Sequence, residues 1–91
     1  MRGLNFVTPE NKRDAMKIIQ LFELEWNKAM NIKNKRSRCS SLRRIYRSVN
    51  NIFIECKKNH IENNDNNMRD IARMFSKWMK KRGYVISNEG L

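Results

Sequence analysis

Apolar residues recur along this chain at intervals of three and four, the spacing that gathers side chains on one face of an α-helix. We predict three helices from this pattern, at about residues 9–30, 42–58 and 67–82. Their inward faces are Ala15, Ile18, Ile19, Phe22, Trp26, Ala29 and Met30; Leu42, Ile45, Tyr46, Val49, Ile52, Phe53 and Cys56; and Met68, Ile71, Ala72, Phe75, Trp78 and Met79. The predicted fold is all-α, a small three-helix bundle in one domain covering residues 1–91.

The predicted helix ends rest on capping residues. Thr8 accepts hydrogen bonds from free backbone amides, and Pro9 suits the first helical position, so the first helix is expected to start there. The other ends follow the same preferences: Ser40 or Ser41 is predicted to cap the second helix, Asp65 or Asn66 to cap the third, and Gly83 to end it. Residues 31–41 lack apolar periodicity and are predicted to form a loop.

Two short segments near the ends have a different character. Residues 4–7 and 84–87 are rich in β-prone residues and are predicted to pair as a two-stranded ribbon. The predicted loop between the second and third helices is too long for a compact helix-turn-helix. A winged variant, with residues 84–87 in the wing, remains open.

The distribution of charge along the chain bears on function rather than on fold. The chain has a net charge of +11, and no acidic residue lies between Glu25 and Glu55. Eight cations fall in that interval: Lys28, Lys33, Lys35, Arg36, Arg38, Arg43, Arg44 and Arg47. Because such a run repels itself, it favours a partner that supplies the opposite charge, and a polyphosphate does so at regular spacing. We therefore expect nucleic acid as the partner.

The candidate binding residues divide among three segments. The predicted second helix exposes Arg43, Arg44, Arg47, Asn50 and Asn51, and Arg and Asn pair with guanine and adenine edges in the major groove. Flexible phosphate contacts are expected from the loop (Lys33, Lys35, Arg36, Arg38) and from the third helix (Arg69, Arg73, Lys77, Lys80). DNA is favoured over RNA, since few aromatic residues are free to stack on unpaired bases. The competing interpretation is the ordinary solvated face of a bundle.

Three apolar residues are predicted to lie on the surface. Ile54 falls on the polar face of the second helix, where either a thymine methyl or a protein partner would account for it. Leu21 and Leu24 lie away from the inward stripe of the first helix. Leu21 and Leu24 suggest self-association as a homodimer, which would double the basic surface. All three also fit an alternative function, a small basic inhibitor or adaptor that docks on an acidic protein surface.

Catalytic and membrane functions find little support. The chain has one histidine, His60, and two cysteines, Cys39 and Cys56, too few for a structural zinc site. The sequence contains no nucleophile triad and no glycine-rich phosphate-binding loop. We therefore expect that the protein is not an enzyme and binds no cofactor. Without a long apolar run or a secretion signal, we expect no membrane contact and an intracellular location, in the cytoplasm or nucleoid.

Overall fold

The computed structural model describes residues 8–90, with side chains described for residues 8–82. Three helices follow one another: α1 (Lys12–Met30), α2 (Lys35–Asn63) and α3 (Asn66–Gly90). The prediction of an all-α three-helix bundle is confirmed. Both connections are short, so α2 runs antiparallel to α1 and α3, as expected for short helix–helix links. At 1.5 Å per residue α2 is about 43 Å long, and it spans the 44 Å length of the molecule.

The core agrees with the predicted apolar faces. Every predicted residue of α3 is buried, and α2 buries all of its own except the partly exposed Tyr46 and Phe53. In α1 the fully buried residues are Ala15, Phe22, Trp26 and Ala29, with Ile18 and Ile19 packed against them. Met30 was predicted to face inward, and that is wrong. It is the last residue of α1 and remains exposed.

Aromatic contacts fix α1 against α3. Trp78 of α3 lies edge-on to Trp26, with 5.5 Å between ring centroids, and 6.2 Å from Phe22. The Arg82 guanidinium covers the same Trp78 ring at 4.6 Å and donates to Glu23 of α1 at 3.3 Å. At the other end, the Asn67 side-chain amide donates to the Glu10 carbonyl at 2.9 Å. These contacts orient α1 parallel to α3.

The predicted starts of the first two helices are wrong. Asn11 caps α1 by accepting from the Asp14 amide at 2.9 Å, so that helix begins after Thr8 and Pro9. Asn34 caps α2 by accepting from the Ser37 amide at 3.0 Å, several residues before Ser40 and Ser41. Asn is as good a cap as Ser, and Lys and Arg are good helix formers. The predicted basic loop at 31–41 therefore shrinks to residues 31–34.

The predicted end of the second helix at about residue 58, and the long loop after it, are wrong: α2 continues to Asn63, and local hydrogen bonds close the short turn to α3. Asn64 adopts φ 52°, a left-handed conformation that Asn tolerates better than most residues. Asp65 caps α3, as predicted, by accepting from the amides of Asn67 and Met68 at 3.0 and 3.2 Å. His60 Nδ1 donates to the Asp65 carbonyl at 3.1 Å, so this histidine has a structural partner in the turn.

The C-terminal end of α3 contradicts two predictions. The helix passes through Gly83 and continues to Gly90, so glycine does not end it there. A glycine inside a helix costs about 1 kcal/mol relative to alanine, too little by itself to stop a long helix. Residues 84–87 are therefore helical, and neither the ribbon nor a wing forms from them. Residues 4–7 lie outside the described residues.

Candidate nucleic-acid interface

The longer α2 changes how the central cations are presented. Lys35 and Arg36 belong to its first turn and share one rigid element with Arg43 and Arg47. Arg36, Arg43 and Arg47 are separated by seven and four residues, so they lie on one outer face. Their steps along the helix axis are about 10 Å and about 6 Å. Lys35, Arg36 and Arg38 were predicted to be flexible loop charges, and that is wrong because all three lie in α2.

Residues of the N-terminal half of α2 line a concave surface. It has a volume of about 650 Å³, and the described residues that line it are Lys35, Arg36, Cys39, Ser40, Arg43, Arg44 and Arg47. Five of these seven are cations, and all five were predicted binding residues. We call this surface the α2 concavity. It brings together cations that we had predicted to lie partly in a loop and partly in a helix.

The charges of the α2 concavity lack internal compensation. Within the described part of the chain, no carboxylate forms an ion pair with any of its five cations. The first turn of α2 also contains no acidic residue. Because a helix N-terminus carries a partial positive charge, Lys35 and Arg36 add cations where the dipole disfavours them. A bound anion would relieve both sources of repulsion.

The other predicted residues of α2 and its preceding connection have different environments. Arg38 is half-buried, and its guanidinium donates to the Ile32 carbonyl at 3.1 Å, which ties the start of α2 to the α1–α2 connection. Its position is therefore structural rather than that of a flexible loop cation. Lys33 is exposed in the connection. Asn50 is half-buried and Asn51 exposed, one turn beyond the α2 concavity.

The predicted residues of α3 form a second exposed stripe. Arg73, Lys77 and Lys80 are exposed, whereas Arg69 lies 3.6 Å from Asp70, which also binds Lys12 of α1 at 3.5 Å. Asp70 and Arg82 mark the side of α3 that α1 covers. At 100° per residue, Arg69, Arg73 and Lys80 fall within about 40° of one another, on the flank of α3 next to Asp70 and opposite Arg82. The stripe is thus open to solvent, and Arg69 is the member whose charge Asp70 partly neutralises.

The two thiols differ sharply. Cys56 is fully buried, and desolvation, aided by the neighbouring Glu55 charge, raises its pKa to about 11. Cys56 is therefore a protonated, unreactive thiol at neutral pH. Cys39 is half-buried and lines the α2 concavity. Among the residues with described side chains, no three His, Cys, Asp or Glu groups lie close enough to hold a metal ion.

Sequence reasoning missed the contributions of Cys39 and Ser40, which it placed in a loop. Asn34 was the signal that could have identified them, because a cap there extends the helix through both positions. The apolar residues singled out on the surface are indeed exposed: Leu21 by 47%, Leu24 by 59% and Ile54 by 49%. Self-association through Leu21 and Leu24 stays a prediction.

Comparisons of the chain with models of protein families, with curated proteins and with solved structures find no match. No helix in the described part of the chain is both long enough and apolar enough to cross a membrane.

Proposed function

We propose that this protein is a small basic nucleic-acid-binding protein, a regulator or accessory factor, that holds the phosphates of a duplex in the α2 concavity. One observation carries the proposal: five cations on one rigid helix line one concave surface, and no described carboxylate neutralises them. Lysines and arginines that neutralise phosphates release condensed counterions and so gain affinity for any sequence. The proposed activity is binding, without catalysis.

Duplex DNA is the proposed form of the ligand. The major groove of B-DNA is about 12 Å wide and admits an α-helix, whereas the major groove of A-form RNA is too narrow for one. With α2 in the groove, Arg43 and Arg47 face base edges or flanking phosphates, and exposed Asn51 follows on the same outer side. Lys35 and Arg36 at the helix start are suited to backbone phosphates. The open α3 stripe supplies further phosphate contacts.

A second candidate function is docking on an acidic protein surface. The exposed side chains of Ile54, Leu21 and Leu24 favour it, because nucleic-acid phosphates offer no partner for apolar groups. The two candidate functions predict different affinities for polyphosphates and for polycarboxylates. A polyphosphate should outcompete a polycarboxylate of equal charge for the α2 concavity, since arginine makes bidentate contacts to phosphate along a regular backbone.

A salt titration tests the proposal. Duplex DNA, duplex RNA, single-stranded DNA and polyglutamate are compared side by side by fluorescence anisotropy between 50 and 300 mM salt. Five phosphate contacts predict a slope of about −4 to −5 for the logarithm of the DNA association constant against the logarithm of salt concentration. DNA should bind most tightly. A flat salt response, or tighter binding of polyglutamate than of any nucleic acid, would reject nucleic acid as the ligand.

Charge reversal locates the site. The double variant Arg43→Glu/Arg47→Glu should weaken DNA binding by about 100-fold or more at low salt, because two phosphate contacts become repulsive. Its matched control is Arg13→Glu/Lys17→Glu, which makes the same charge change at two exposed positions of α1. The control should lose only a few-fold in affinity. Equal losses in the two variants would mean that net charge, rather than the α2 concavity, determines binding.

A further inference from the structure

The outer face of α2 changes character beyond Asn51. Ile54 is 49% exposed and Ile61 is 68% exposed, and they are the large apolar residues exposed on this helix within the described side chains. They are seven residues apart, so they share one face and lie about 10 Å apart along the axis. This spacing is that of one heptad, at which a partner helix inserts its own apolar side chains.

Two lysines frame this apolar pair. At 100° per residue, Lys57 and Lys58 fall about 50° to either side of the line through Ile54 and Ile61. The Lys57 ammonium lies 5.7 Å from the centroid of the Phe53 ring, which holds that charge at one edge of the face. Neither lysine is paired with a carboxylate of the described residues. We call Ile54, Ile61, Lys57 and Lys58 the isoleucine face.

The charges on the isoleucine face indicate which kind of partner it can bind. A second copy would bring four lysines together around the isoleucines, and like charges across an interface disfavour that pairing. A nucleic acid would satisfy the lysines, but its apolar groups in the major groove are isolated thymine methyls, which cannot enclose two isoleucine side chains. A helix with two apolar side chains seven residues apart, flanked by carboxylates, satisfies both kinds of group at once.

We propose that the isoleucine face is a docking site for an acidic amphipathic helix of a partner protein, separate from the α2 concavity. This interface goes beyond nucleic-acid binding and stands without it. Ile54 and Ile61 insert between apolar residues of the partner, while Lys57 and Lys58 pair with acidic residues on its flanks. The apolar contacts supply affinity, and the two lysines set orientation and exclude basic partners.

The test uses a designed helical peptide with two leucines seven residues apart and glutamates at the flanking positions. The full-length protein is titrated against the fluorescein-labelled peptide at 150 mM salt, and anisotropy is measured. Ile54→Gln/Ile61→Gln should weaken binding at least tenfold, since burial of two isoleucine side chains is lost. Gln keeps helix propensity, and circular dichroism checks that the fold survives. The matched control, Met16→Gln/Met30→Gln, removes comparably exposed apolar groups from α1 and should bind normally.

A second peptide, with alanine in place of both leucines, separates apolar docking from attraction to a cationic protein. It should bind wild-type protein at least tenfold more weakly than the leucine peptide; equal binding would overturn the proposal. Loss of the leucine peptide in Arg43→Glu/Arg47→Glu would also overturn it, because the peptide would then occupy the α2 concavity. So would a homodimer, detected by sedimentation, that Ile54→Gln/Ile61→Gln dissociates, because a second copy would then cover this face.

Discussion

The N-terminal half of α2 and the α1–α3 side of the bundle use the same residue types in opposite ways. On the α1–α3 side, Lys12 binds Asp70 at 3.5 Å and Arg82 binds Glu23 at 3.3 Å, so each cation joins two helices. The five cations of the α2 concavity have no such carboxylate among the described residues. One set of charges holds the bundle together, and the other faces outward without compensation.

This difference shows that position relative to carboxylates, rather than cation content, separates the cations that pair within the bundle from those left available for a ligand. Arg43 and Arg47 are one turn apart on α2, and like charges at that spacing destabilise a helix slightly. The helix dipole adds to this cost at Lys35 and Arg36. The α2 concavity therefore lowers the stability of the free protein, and an anion bound there should raise its melting temperature.

The largest effect on stability is expected on the α1–α3 side of the bundle. Arg82→Ala should lower the free energy of unfolding by about 1–2 kcal/mol, because it removes the Glu23 ion pair and the cover of the Trp78 ring. Urea denaturation followed by circular dichroism measures this, with exposed Lys81→Ala as a control expected to change little. DNA affinity should fall less than threefold. A larger loss of affinity than in Arg43→Ala would break the division between the two regions.

The sequence predicted the core well because the core follows a strong periodic signal. Six apolar residues of α3 repeat at three- and four-residue intervals, and all six are buried. Burial of these side chains is the main driving force for packing, so their pattern largely determines which helix faces meet. The exposed Met30 was misassigned because the same pattern cannot show where packing ends along a helix.

The helix start that forms the candidate site could not be located in the same way. Residues 35–41 contain no apolar period, so hydrophobic patterning assigned them to a loop, although Asn34 and the adjoining helix formers extend α2 through them. Several capping residues lie within one short stretch, and each could accept from the free amides of a helix that starts just after it. Cap preference alone does not choose among them, although Asn34 is followed at once by the helix formers Lys35 and Arg36. The charges were predicted, but their assembly into one concave surface was not.

The α3 stripe offers a sharper test of how far the binding region extends. Arg73→Glu/Lys80→Glu should weaken DNA binding about fivefold, corresponding to about 1 kcal/mol, because both cations are exposed and would add phosphate contacts to those of α2. The change in net charge equals that in Arg13→Glu/Lys17→Glu, whose loss should be smaller. Anisotropy titrations at equal salt compare them. Identical affinities would confine the interface to α2.

The smallest effect is expected from a substitution that places a carboxylate at the N-terminal end of α2, where the helix has none. Asn34→Asp keeps the cap and adds a negative charge at the helix N-terminus beside Lys35 and Arg36. It should raise the free energy of unfolding by about 0.5 kcal/mol, an effect that 1 M salt screens.

The same substitution should weaken DNA binding about threefold, because the new carboxylate competes with phosphate for the same amides and cations. Asn34→Ala is the control for the cap alone. It should cost about 1 kcal/mol of stability with little change in affinity. Paired denaturation and binding measurements therefore distinguish the two roles of this position. If Asn34→Asp raised stability and left DNA binding unchanged, the start of α2 would lie outside the interface, and only its later turns, with Arg43 and Arg47, would contact phosphate.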